Sequence, residues 1–129
     1  SGMLAQCSGS IIYSTSVKGE RSWDYVNIYS AAKGAIKAMT RQLAGQYGKE
    51  GVRFNCVSPG AIDTPMNQKR AENEGPELYE MYKRMHALGR MGKAGEVNGA
   101  CVFLASDESS FVTGIDLPVD GGLLVLPRD

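Results

Sequence analysis

The sequence predicts an α/β fold built on a parallel sheet with crossover helices. Two short runs rich in β-branched and aromatic residues, Ser10-Ile-Ile-Tyr-Ser-Thr15 and Val52-Arg-Phe-Asn-Cys-Val-Ser58, read as buried strands. Between them, from Asn27 to Gly48, lies the strongest helical periodicity of the chain. A later helix and a third strand complete the order strand, helix, strand, helix, strand, which is the grammar of parallel sheets. The 129 residues have the size of one domain, spanning 1–129. That length suffices to bury a core.

The first strand follows Gly9 and ends at Ser16. Residues 17–25 contain Gly19, several charges and Ser22, and read as a loop in which Trp23 packs. In the helix that follows, Ala31, Ala35, Ala38, Met39 and Leu43 make one apolar stripe, with Lys37, Arg41 and Gln42 opposite. Alanines at that density imply close approach of another helix. Gly48 to Gly51 ends the helix. The second strand is halted by Pro59-Gly60. Residues 67–75 carry mixed charge without an apolar period and read as a mobile loop. Pro76 opens a helix over 77–86. A glycine-containing link, 89–95, leads to a helix over 96–105 with Val97, Ala100, Cys101 and Leu104 as its apolar residues. The third strand runs from Ile115 to Val119, and Asp120-Gly121-Gly122 turns the chain into the apolar tail Leu123-Leu-Val-Leu126.

Composition narrows the function classes. Fourteen basic and fourteen acidic residues cancel, and no basic stripe appears, so nucleic acid and anionic membrane are not expected partners. No apolar run approaches the roughly 18 residues of a membrane span. Cys7, Cys56 and Cys101 are widely spaced among apolar neighbours, no CxxC pair exists, and His86 is the only histidine. No metal site is expected, and three buried free thiols fit a reducing cytoplasm. His86, between Met85 and Ala87, reads as a helix-end histidine without chemistry. With no other base available, a Ser-His-Asp hydrolase is disfavoured.

The chemistry-bearing pattern is Tyr29-Ser-Ala-Ala-Lys33, with Ser16 thirteen residues before Tyr29. Helical positions i and i+4 share a face and lie about 6 Å apart along the axis. A cation beside a phenol favours the phenolate, so such a pair can exchange protons. A serine hydroxyl alongside could hold a carbonyl or hydroxyl oxygen between itself and the phenol. Together they suggest hydride-transfer chemistry on an alcohol or ketone. Tyr79 and Lys83 repeat the spacing, but Met66 stands where the serine would be. The surrounding Glu72, Glu74, Glu77 and Glu80 mark a solvated helix face.

Several motifs in order resemble the short-chain dehydrogenase/reductase family in its compact form. They are Gly9-Ser-Ile-Ile, Ser16, Tyr29-x-x-x-Lys33, Gly51-Val-Arg-Phe-Asn-Cys-Val-Ser-Pro59-Gly60-Ala-Ile-Asp-Thr64-Pro-Met66, Phe103-Leu-Ala-Ser-Asp-Glu, Val112-Thr-Gly114 and Val119-Asp-Gly-Gly122. The resemblance covers nearly the whole chain. It implies a Rossmann-type, doubly wound parallel sheet and an NAD- or NADP-dependent oxidoreductase acting on a small-molecule alcohol or ketone. It implies that Ser16 positions the substrate oxygen, that Tyr29 is the general acid or base, and that Lys33 assists it and binds the nicotinamide ribose. By the same resemblance Pro59, Gly60, Ile62 and Thr64 hold the nicotinamide end, and residues 65–90 form a substrate lid.

One part of the family pattern is missing. No glycine-rich turn follows a strand and opens a helix, so nothing in the sequence meets a pyrophosphate in the usual way. The chain therefore resembles the carboxyl-terminal half of the fold, without the dinucleotide-binding half. The first strand then lacks a neighbour and exposes a pairing edge. Two other readings follow: a non-catalytic fragment or interaction module, and a non-redox relative such as a lyase or dehalogenase. The alanine face of the 27–48 helix predicts a homo-oligomer, a dimer across a two-fold axis or a tetramer. The alternative is that those alanines pack on the chain's own sheet.

Overall fold

The computed structural model describes residues 2–127. After a short helix, α1 (Gly2–Gln6), comes strand β1 (Gly9–Ser14), then the long helix α2 (Asn27–Tyr47) and strand β2 (Val52–Pro59). Next come β3 (Ile62–Asp63), α3 (Pro65–Glu74), α4 (Pro76–Arg84), β4 (Gly92–Lys93), α5 (Ala94–Ala105) and β5 (Asp116–Val119). The main sheet has the order β1-β2-β5, all parallel, with Gly9 opposite Val52 and Cys56 opposite Asp116. β2 is central and almost wholly buried, including its polar residues Asn55 and Ser58.

Helices α2 and α5 cover opposite faces of this sheet. Ala44, Leu43 and Tyr47 of α2 pack against Val52, Phe54, Ile11 and Tyr13. On the other face, the Ser10 hydroxyl donates to the Leu104 carbonyl of α5 at 2.7 Å. Successive strand residues point to alternate faces, so Ser10 and Ile11 serve different layers.

Four expectations need correction. Residues 67–75 are not a loop, because α3 runs from Pro65 to Glu74. Its start is set by local chemistry rather than by an apolar stripe. Thr64 Oγ1 accepts the Asn67 backbone N–H at 3.4 Å, and Pro65 occupies the first turn. Arg70 and Glu74, one turn apart, pair at 2.6 Å. The link 89–95 contains β4, which pairs with β3 in a small second sheet. Cys7 is exposed, unlike the buried Cys56 and half-buried Cys101.

The fourth correction concerns α2. Lys37 does not lie on the solvent side but is 7% exposed on the core side, with Thr40 and Ala44. Ala31, Ala32, Ala35, Ala38 and Met39 face outward instead, while Leu43 joins the core. Lys37 turns inward because a carboxylate awaits it beneath the sheet edge, as described below.

Candidate active site

Ser16 lies just past β1, where the chain turns into a short 3₁₀ turn, Val17–Gly19. It is buried, and its Oγ accepts the Lys18 backbone N–H at 3.2 Å. That leaves its own O–H free to donate elsewhere. Tyr29 and Lys33 sit in the first two turns of α2, with Lys33 Nζ 5.6 Å from the centre of the Tyr29 ring. Lys33 Nζ also donates to the Ser14 carbonyl at 3.0 Å, which ties α2 to the end of β1 and spends one of three N–H donors. Gly19 makes this approach possible. A Cβ on it would lie 3.0 Å from the Gly34 backbone nitrogen and 3.2 Å from the Lys33 Cβ.

Ser16 and Tyr29 line one cavity of about 660 Å³, together with Gly60, Ile62 and Thr64. The structure thus brings together residues from β1, α2 and the β2–α3 connection. Pro59 closes β2 beside them, in register with Val119. The far wall comes from α3 and α4, through Asn67, Arg70, Leu78 and Met81. These helices occupy the segment assigned above to a lid.

The turn at Gly60 is pinned from behind by His86. Its Nε2 accepts the Ala61 N–H at 3.1 Å, and Nδ1 lies 2.6 Å from the Tyr82 carbonyl. Only the neutral tautomer with the proton on Nδ1 satisfies both contacts. His86 is 3% exposed and so is a buried structural pin under the site, more than a helix-end residue. Gly60 has no room for a side chain, since a Cβ would lie 2.8 Å from His86 Nε2 and 2.9 Å from Asp120 Cα. Gly60→Ala is expected to destabilise the protein by about 1–3 kcal/mol through overpacking, as read by urea unfolding.

A buried polar cluster under Ser16 was not legible in the sequence. Lys37 Nζ meets Asp116 Oδ2 at 2.7 Å and Glu20 Oε2 at 3.1 Å. The Ser58 hydroxyl donates to Asp116 Oδ1 at 2.7 Å, and Thr15 Oγ1 lies 2.6 Å from Ser58 Oγ. Thr15 directly precedes Ser16, and Lys37 stands one helical turn beyond Lys33. The signal available was Lys33, Lys37, Thr40 and Ala44 recurring on one helical face.

The second Tyr–Lys pair is arranged differently. Lys83 pairs with Glu80 at 2.6 Å, and a hydrogen bond to Asp63 pushes the Tyr79 phenol above its ordinary range. Raising a phenol's pKa moves it further from neutral pH and makes it a poorer acid–base group. Tyr79 is absent from the lining of the Ser16–Tyr29 cavity.

Residues 1–124 match the sequence profile described as enoyl-(acyl carrier protein) reductase. The chain belongs to the short-chain dehydrogenase/reductase family. Among curated relatives of this family, it is 41% identical over 123 residues to rat (Rattus norvegicus) dehydrogenase/reductase SDR family member 6, covering 93% of this chain and 50% of that protein. It is 39% identical to galactitol 2-dehydrogenase (L-tagatose-forming) from Cereibacter sphaeroides, covering 95% of this chain and 48% of the other. The crystal structure of a gluconate 5-dehydrogenase from Burkholderia cenocepacia in complex with NADP and tartrate superposes with a TM-score of 0.90 at 33% identity. That match covers 98% of this chain and 49% of the dehydrogenase. The chain thus spans about half the length of the short-chain dehydrogenases and reductases it matches. No helix among the described residues is long and apolar enough to cross a membrane.

Proposed function

We propose that this chain carries the chemical centre of an NAD- or NADP-dependent oxidoreductase that interconverts a secondary alcohol and a ketone. One observation carries the reading: Ser16 and Tyr29, from separate elements, line a single cavity, with Lys33 over the Tyr29 ring. The relative named for converting galactitol to L-tagatose acts on such an alcohol, and the gluconate 5-dehydrogenase structure contains NADP. Nicotinamide, when bound, supplies or accepts the hydride. In the reductive direction Tyr29 gives its phenolic proton to the substrate oxygen, and in the oxidative direction the phenolate takes it back. Ser16 Oγ–H donates to the same oxygen, and the Lys33 ammonium favours the phenolate by its charge.

The residues present fit the nicotinamide end of the cofactor. Gly60, Ile62 and Thr64 line the cavity that Tyr29 enters, and Lys33 keeps two N–H groups for a ribose. The glycine-rich turn that would meet the pyrophosphate is not among the 129 residues. A cytoplasmic setting belongs to the same proposal, supported by three free thiols. Transfer of deuterium from C4-deuterated NADPH or NADH to a ketone, followed by mass spectrometry on the full-length protein, tests the reading. Incorporation at the carbinol carbon is expected, and its absence across neutral and charged ketones rejects it.

Assembly is part of the proposal. The outward alanines of α2, with Ile28 88% exposed beside them, leave a flat apolar face that the chain's own sheet does not cover. Small side chains let two backbones approach closely across a two-fold axis. Light scattering is expected to show a dimer or tetramer, and Ala38→Glu is expected to halve its mass. A parent already monomeric, or an Ala38→Glu variant of unchanged mass, would place the interface elsewhere.

A further inference from the structure

The cavity that holds Ser16 and Tyr29 is not evenly polar. Met66, Leu78, Met81, Met85 and Leu123 give it an apolar floor. Cationic side chains enter its wall from two elements: Lys18 on the turn after Ser16, and Arg70 on α3. Lys18 lies 5.9 Å from the Tyr29 ring centre and 5.7 Å from that of Trp23. Among the described residues no carboxylate comes within 4.0 Å of its ammonium. Burial, and then the charge of Arg70, hold the Lys18 amine below its usual range, so the two cations feel each other across the cavity. Trp23, also in the wall, has a buried Nε1–H with no hydrogen-bond partner among the described residues. A half-buried ammonium that faces a cavity without a counter-ion, with a second cation nearby, is unfavourable when the cavity is empty, and an anion relieves it.

Resting on the oxidoreductase reading above, we propose that the substrate is a ketone or secondary alcohol that also carries a carboxylate, held by Lys18 and Arg70. The charge count selects carboxylate over phosphate. Arg70 already shares its guanidinium with Glu74 through two hydrogen bonds, at 2.6 and 3.2 Å. Asp24, another lining residue, adds a negative charge. The formal charges of Lys18, Arg70, Glu74 and Asp24 cancel, but Asp24 makes no ion pair with Lys18 within 4.0 Å, so the one locally unpaired charge is the Lys18 ammonium, which suits a monoanion. The Arg70 fork can still offer its outer N–H groups to a planar carboxylate. The carbon skeleton between the two ends lies on the methionine and leucine floor.

Trp23 is the chain's only tryptophan and reports on this cavity. Its fluorescence is expected to titrate with 4-oxopentanoate at a dissociation constant at least roughly tenfold below that for the neutral 4-oxopentanamide, about the effect of one charge-assisted contact. Lys18→Met should bring the keto acid to the level of the amide, and Arg70→Gln should weaken the acid several-fold. Equal binding of acid and amide overturns the proposal. So does tighter binding of 2-oxopropylphosphonate than of the keto acid, which would point to a phosphate-bearing substrate. In the full-length protein, NADPH- or NADH-dependent reduction of the keto acid should exceed that of the amide. Reduction of both at one rate defeats the carboxylate proposal and leaves the oxidoreductase reading standing. Discriminating binding without reduction of either does the reverse.

Discussion

Tyr29→Phe in the full-length protein is expected to lower turnover by roughly 10²–10⁴-fold, with cofactor affinity close to that of the parent. The substitution deletes one oxygen from a half-exposed ring and leaves its packing against Lys33 and Lys18 in place. Neither of the two groups proposed to work beside it replaces the phenol as a proton donor near neutral pH. Ser16 is too weak an acid, and the Lys33 ammonium already donates to the Ser14 carbonyl. Lys33→Ala should behave differently and weaken both turnover and cofactor binding, because in the proposed mechanism its ammonium serves the phenolate and the ribose. Tyr79→Phe is the control. Asp63 raises the pKa of the Tyr79 phenol, which lies outside the cavity lining, so the chemical step should not change. Steady-state kinetics with a separate cofactor titration distinguish the three. A Tyr29→Phe enzyme retaining more than roughly a tenth of the parent rate would remove Tyr29 from the acid–base role.

The parts of this site that could be read in the sequence are those encoded by spacing on one element. Tyr29 and Lys33 share a helical face because of the α-helical period, and Ser16 follows a run of strand-forming residues. β2 was legible from Val52, Phe54, Cys56 and Val57 and from the Pro59-Gly60 stop that follows them. What could not be read depends on elements distant in the chain. Lys37 looks like a solvent-facing lysine until Asp116, 79 positions later, arrives from β5 at 2.7 Å. His86 looks inert until Ala61 presents its N–H. α3 was missed for a local reason. A cap at Thr64, a proline in the first turn and one intrahelical ion pair hold it, and none of these leaves an apolar period. The pairing of Lys18 with Arg70 across the cavity likewise exists only once α3 is placed.

Asp116→Ala should be the most damaging substitution for stability, at about 3–5 kcal/mol, because it strands a buried ammonium without its counter-ion. Lys37 and Asp116 are 7% and 8% exposed, so water cannot solvate the survivor, and Glu20, mostly exposed, is a partial substitute. A loss of that size is a large share of the roughly 5–15 kcal/mol that holds a domain together. The damage should also reach the chemistry. Asp116 accepts from Ser58, Ser58 contacts Thr15, and Thr15 leads into Ser16, while Lys37 anchors the helix that carries Tyr29 and Lys33. The pair has a definite pH signature. Burial alone would pull Lys37 down, but hydrogen bonds to Asp116 and Glu20, and their charges, outweigh it and raise its pKa above 10.5. A raised pKa in the folded state means that the stabilisation is fully present below about 10.5 and is lost only as pH climbs through the higher folded value. Urea unfolding of the parent should therefore show this contribution intact from neutral pH to about 10 and declining above it. Asp116→Ala should abolish that decline along with the stability. Replacing both partners, Lys37→Met with Asp116→Leu, should recover much of the loss, since a well-packed apolar pair often equals a buried ion pair. An Asp116→Ala protein within roughly 1 kcal/mol of the parent would mean that water or Glu20 neutralises Lys37, and the cluster would not be what holds Ser16 against α2.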